Sequence, residues 1–251
     1  MRRVFTALFG VAAYAGGAWA QSGDACISAE HSVHAQAGLP RVAAAVDESH
    51  QLSISVSGTA SSVLPGPNGT GKAYPARLEA ALSGRLPGVK VKVVNAAKQK
   101  QTAAEMAAEF DKLLAEEKPA LVVWQTGTVD AIRGIDPDDF RSALNTGIDK
   151  LQAAGADVIL MNMQYSPRTD SMIAADVYSE NMQGIALERE ISLFDRFAIM
   201  KEWNDEGTFD LYAATKNPET AERVHACIGE LLAAFVVEGV DLARKPKEEV
   251  R

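Results

Sequence analysis

Five short apolar runs recur along the chain: "LSISVS" (52–57), "VKVKVVN" (89–95), "ALVVWQTG" (120–127), "DVILMNMQ" (157–164) and "ISLFD" (191–195). Each is too short for a buried helix and is flanked by turn residues, which marks it as a strand. Helical patterns fill the intervals. Thr102-Ala-Ala-Glu105 is a capping box ahead of Met106, Phe110, Leu113 and Leu114, which share one helical face. Asp136-Pro137 and Asn217-Pro218 each set a capping side chain before a proline at the first helical position. Such alternation predicts a five-stranded parallel sheet between two helical layers, a three-layer α/β/α sandwich with right-handed crossovers. Ligands of this architecture sit beyond the carboxyl ends of the strands. Function is therefore expected in the loops after Ser57, Asn95, Gln125 and Gln164, and in the connection before the last helix.

The first twenty residues are set aside as a cleaved signal peptide, because Arg2 and Arg3 precede an apolar run from Val4 to Tyr14 and Ala18-Trp19-Ala20 reads as a cleavage site. Residues 21–243 are expected to form one domain and residues 244–251 a charged tail. No segment is long and apolar enough to predict a membrane span, and Cys26 lacks a lipid-attachment context. The protein is expected to be periplasmic or secreted. The formal charge of −8 for the full chain becomes −10 once Arg2 and Arg3 are removed. That balance argues against nucleic acid, whose binding needs a basic surface. Two cysteines, Cys26 and Cys227, in an exported chain suggest a disulfide, with two separate buried thiols as the alternative. Closing so long a loop would stabilise the fold by roughly 5 kcal/mol through the unfolded chain's lost entropy.

At the expected loops the sequence resembles the SGNH/GDSL hydrolases, in particular an exported bacterial branch. The resemblance lies in "AYPARLEAAL", "VVNAA", "LVVWQTGT", "ADVILMNMQYSPR" and "FDRFAIMKEW", in that order, over most of residues 40–205. It implies a flavodoxin-like fold and acyl-ester chemistry from a serine in a GDS-like turn, an oxyanion glycine and asparagine, and a C-terminal Asp-x-x-His. Carried over residue by residue, Ala60 in Gly58-Thr59-Ala60 stands at the nucleophile, Ala97 at the glycine and Val129 at the asparagine. Aligning Cys227 with the branch's cysteine puts Lys216 and Glu219 at the Asp and His. A similar cysteine pair in the branch supports the disulfide.

Displaced residues remain to be weighed. Ser57 and Ser61 flank the turn, but a serine needs a neighbouring base. His31, His34 and His50 fall before the first strand or against its start, away from the expected site. His225 reads as a helix residue at the margin of the core. Asp130 reads as a cap or as a residual pocket acid. Thr59, Gln125, Thr128, Gln164, Tyr165 and Arg168 are candidates for the pocket wall, Arg168 suiting a carboxylate or phosphate. Tyr165 and Arg168 could equally serve the core and the surface. The loop "PGPNGTGK" lacks the Ser or Thr of a phosphate-binding loop, since Ala73 follows Lys72. No metal site is expected from the histidine spacing, and no cofactor.

The leading expectation is a non-catalytic SGNH-like envelope protein that binds a small molecule or an envelope protein partner. The alternative is a divergent esterase or carbohydrate acyl-ester hydrolase using displaced residues such as Ser61. A structural adaptor with a filled pocket is a third reading.

Overall fold

The computed structural model describes Cys26, residues 33–212 and residues 217–245. The expected leader, His31, Lys216 and residues 246–251 of the expected tail lie outside the described residues.

All five apolar runs form strands: β1 Gln51–Ser57, β2 Lys90–Asn95, β3 Leu121–Gln125, β4 Asp157–Met161 and β5 Ser192–Phe194. They make one parallel sheet in the order β2-β1-β3-β4-β5. The α/β/α class and the five-stranded parallel sheet are thus as expected. The third and fourth runs leave the sheet earlier than expected. Gly127 turns the chain with φ +98°, a conformation that favours glycine, and residues 162–164 continue as loop. The polar ends of those runs therefore sit above the sheet, where ligands bind.

The helices are α1 Pro40–Ala44, α2 Gly69–Lys72, α3 Tyr74–Arg85, α4 Ala103–Glu117, α5 Thr128–Arg133, α6 Pro137–Ala153, α7 Pro167–Asp170, α8 Ala175–Glu188, α9 Arg196–Asp205 and α10 Pro218–Arg244. Their starts follow the local chemistry. Thr102 and Glu105 close the capping box on α4, Asp136 Oδ1 accepts from Asp138 N at 2.9 Å at the start of α6, and Asn217 Oδ1 accepts from Glu219 N at 3.0 Å at the start of α10. Successive strand side chains face opposite layers. Leu121, Val123, Ile159 and Met161 pack with α3 and α10, whereas Val122, Trp124, Val158 and Leu160 pack with α4, α6 and α8. With both faces covered, the strands read as continuous apolar runs. Trp124 is fully buried and meets Phe110 edge to face at 4.8 Å. Its truncation to alanine would cost about 3–5 kcal/mol. Among the described residues, no helix is long and apolar enough to cross a membrane.

Cys26 and Cys227 form a disulfide, with Cα atoms 5.2 Å apart and a sequence separation of 201. The alternative of two separate thiols is set aside. The bond ties the N-terminal segment to α10, whose inner face belongs to the core.

At the opposite, amino end of the sheet, Asp157 opens β4, and its Oδ2 accepts from Arg41 N at 2.8 Å and Val42 N at 2.9 Å. Burial outweighs these bonds and raises the carboxyl to about 6. A carboxyl whose folded value exceeds its unfolded one near 3.8 favours the folded state at low pH and loses that contribution as pH rises through about 6. Asp157→Asn keeps an acceptor oxygen without the charge. The melting temperature of the variant minus that of the unmodified protein should therefore be larger at pH 7.5 than at pH 4.5. Thermal unfolding monitored by circular dichroism at both pH values measures it.

Candidate functional site

Beyond Ser57 the chain makes a short 3₁₀ turn at Ala60–Ser62. The turn closes on one side chain. Gln125 Oε1, fully buried at the end of β3, accepts from Thr59 N at 3.0 Å, Ser61 Oγ at 3.0 Å, Ser62 Oγ at 3.1 Å and Thr59 Oγ1 at 3.2 Å. A backbone N–H can only donate, so the amide oxygen, not its nitrogen, faces the turn. Gly58 permits this approach, since a Cβ there would fall 2.3 Å from Ser62 Oγ and 3.1 Å from Gln125 Oε1. Asn95 holds the turn from the β2 side, donating from Nδ2 to Ser62 O at 2.9 Å.

In front of the turn lies a cavity of about 410 Å³. Ala60 and Ser61 line it from the turn, Gln164 and Tyr165 from the loop after β4, Arg196 from the start of α9 and His225 from α10. Arg196 is 1% exposed. It donates from Nη1 to Ser61 O at 3.2 Å and from Nη2 to Gln164 Oε1 at 3.4 Å, and its guanidinium lies over the Tyr74 ring at 5.4 Å. Burial lowers its value to about 10, which leaves it charged at neutral pH. Lys72 Nζ and Glu222 Oε1 pair at 2.6 Å on the cavity wall.

His225 Nδ1 lies 3.0 Å from Tyr74 N, which can only donate, so the lone pair at Nδ1 is taken and the ring proton of the neutral imidazole is on Nε2. Burial, with the charge of Arg196 adding to it, lowers His225 to about 3. The imidazole is thus a donor at its remaining nitrogen and a weak base. Among the described residues, neither Ser57 nor Ser61 hydrogen-bonds a histidine or a carboxylate, and no group of three potential metal ligands gathers.

The cavity brings together four residues singled out in the sequence: Ala60, Ser61, Gln164 and Tyr165. Thr59 and Gln125 lie behind them, engaged with each other. The others stand elsewhere. Ala97 N donates to Asn95 Oδ1 at 3.1 Å, so that N–H is already used within its own loop. Thr128 and Val129 are half-buried in the first turn of α5 and do not line the cavity. Asp130 is a cap, not a pocket acid: its carboxylate accepts from Ala103 N at 3.0 Å, at the start of α4. Arg168 is exposed on α7, outside the cavity, and in no ion pair among the described residues. Tyr165 both lines the cavity and packs edge to face on Phe197 at 5.3 Å. Glu219 is exposed on α10, because helical periodicity turns Ala221, Glu222, Val224 and His225 to the cavity instead. His34 and His50 are absent from the cavity wall.

Three residues of the site escaped the sequence reading. Tyr74 was visible only as part of a motif, and His225 only as a helix residue. Arg196 had a usable signal: it follows the carboxyl end of β5 by two residues, where a parallel sheet keeps its ligands.

A histidine depressed from 6.5 to about 3 by folding binds its proton more readily in the unfolded chain. Stability from this group is complete above pH 6.5 and falls as pH drops from there towards 3. His225→Asn retains an acceptor for Tyr74 N without the titrating ring. Between pH 4 and 5.5 the unfolding free energy of the unmodified protein should fall more steeply with acid than that of the variant, by about one proton in linkage slope. Urea titrations across that range measure the difference.

An 80-residue segment is 41% identical to esterase TesA of Pseudomonas aeruginosa, spanning 32% of this chain and 40% of that protein, so well under two thirds of the relative is matched. A solved TesA structure aligns with a TM-score of 0.53 at 28% identity, over 71% of this chain and 99% of that one. A catalytic mutant of the acetylxylan esterase Axe2 from Geobacillus stearothermophilus gives 0.59 at 20% identity, over 75% and 94% of the two chains. The psychrotrophic esterase EstA from Pseudoalteromonas sp. gives 0.59 at 16% identity, over 75% and 98%. The last two share the fold. With residues 25–242 matching the non-GDSL lipase-like family, on the sheet and turn described above, the chain belongs to that family.

Proposed function

We propose that this protein is an exported, non-catalytic member of its family, which holds a small molecule in the cavity before Ala60 and serves a binding or partner role in the cell envelope. One observation carries the reading. The cavity persists at about 410 Å³ while the residue at the nucleophile position of its turn, Ala60, has no hydroxyl. Acyl transfer near neutral pH needs a nucleophile bonded to a base, with an oxyanion donor nearby. Ser61 Oγ is directed at an amide oxygen, which is no base. His225 offers N–H rather than a lone pair, and Val129 brings no donor side chain. The leader-like N-terminus and the disulfide support export.

A second reading has its own observation: Ser61 lines the cavity one residue beyond Ala60, and the relatives named above are esterases. In that reading Ser61 is the nucleophile of a divergent ester hydrolase.

The two readings separate by experiment. The mature protein should show no measurable turnover of short p-nitrophenyl esters, and a fluorophosphonate should label neither Ser57 nor Ser61. Ala60→Ser should also remain inactive, because the base and the oxyanion donor would still be missing. Loss of one such donor alone costs on the order of 3 kcal/mol of transition-state stabilisation. Efficient hydrolysis that disappears in Ser61→Ala would establish the second reading.

A further inference from the structure

Among the described residues, Arg196 is a buried cation without a counter-ion. Among them it enters no ion pair, and its Nε is enclosed without a hydrogen-bond partner. Asp195, its chain neighbour, is spent elsewhere: Oδ1 accepts from Asn162 Nδ2 at 2.7 Å and from Ala198 N at 3.0 Å. The other charges of the cavity wall, Lys72 and Glu222, neutralise each other. An isolated charge away from water is costly unless it is paired. The cavity wall thus carries one net positive charge, and Val63, Leu64, Met200, Leu211 and Val224 make much of the rest apolar.

We propose that the cavity takes an amphipathic monocarboxylate, its carboxylate received by Arg196 and its hydrocarbon body by the apolar wall. A single cation matches a monoanion, whereas a phosphate monoester would bring a second charge with no partner. One N–H of Nη1 is committed to Ser61 O and one of Nη2 to Gln164 Oε1, which leaves the second N–H of each for a carboxylate. His225, neutral with its proton on Nε2, adds a donor to the same wall without adding charge. A bound carboxylate would supply the counter-ion that the fold withholds. The inference rests on the binding role proposed above and gives it a ligand class.

Isothermal titration calorimetry of the mature protein at pH 7 with octanoate, methyl octanoate and octyl phosphate tests it. Octanoate should bind roughly tenfold to a hundredfold more tightly than methyl octanoate, the range expected of a charge-assisted hydrogen bond, and more tightly than octyl phosphate. In Arg196→Gln the preference for the acid over the ester should vanish. The series on the unmodified protein stands even if that variant fails to fold. Equal or tighter binding of the ester, a preference for octyl phosphate, or no binding of octanoate at millimolar concentration would overturn the carboxylate assignment. Appearance of octanoate from methyl octanoate would instead overturn the non-catalytic reading, so the two failures are distinct.

Discussion

One amide oxygen holds the working end of this molecule together. Gln125 Oε1 gathers four donors from the turn after β1, and the turn in turn sets Ala60 and Ser61 against the cavity and presents Ser61 O to Arg196. The arrangement is possible because β1 and β3 are neighbours in the sheet, so their carboxyl ends emerge side by side. It also has a chemical consequence. The hydroxyls of the turn donate to an acceptor that cannot remove a proton, which fixes the turn's shape.

Scaffold and chemistry are separable here. The sheet and its two helical layers derive their stability from burial on both faces, with Trp124 and Phe110 on one side and α3 against α10 on the other. None of that depends on what residue 60 carries. The Cys26–Cys227 bond anchors α10, and α10 supplies Glu222 and His225 to the cavity wall. The shape of the cavity is therefore set by elements of the core, whatever residue 60 carries.

The fold was legible because it is written in local patterns. Strand-length apolar runs, the Thr102 to Glu105 capping box and the Asp136-Pro137 and Asn217-Pro218 starts each act within a few residues, and each reappears as expected. The site was legible only in part. The turn could be located by resemblance, yet the partners of Gln125 are 63 to 66 residues away in sequence, and no local pattern encodes them. Asp130 is ambiguous in sequence because Ala103, whose N–H it caps, lies 27 residues away. The last helix misled because alignment on Cys227 selects Glu219, whereas the helix rotates residues 221, 222, 224 and 225 inward. Arg196 was hidden for a different reason: an arginine's burial is a property of the packed molecule, and composition expects it outside.

The burial of Arg196 and His225 on the wall of one cavity sets its polarity. Burial disfavours the charged form of both groups, the charge of Arg196 adds to it at His225, and the group with the lower intrinsic affinity for its proton yields. Arg196, held near 10, stays charged, while His225, pushed to about 3, stays neutral. Tyr74 N then selects the imidazole tautomer by occupying Nδ1. A hydrolase would need the reverse arrangement, a ring with a lone pair turned to the nucleophile and a carboxylate behind it. Restoring a hydroxyl at residue 60 would leave that ring without a free lone pair, because its tautomer is set by the backbone of α3 and its neutrality by burial together with the charge of Arg196. The chemistry open to this cavity is thus set by three elements together and not by residue 60 alone.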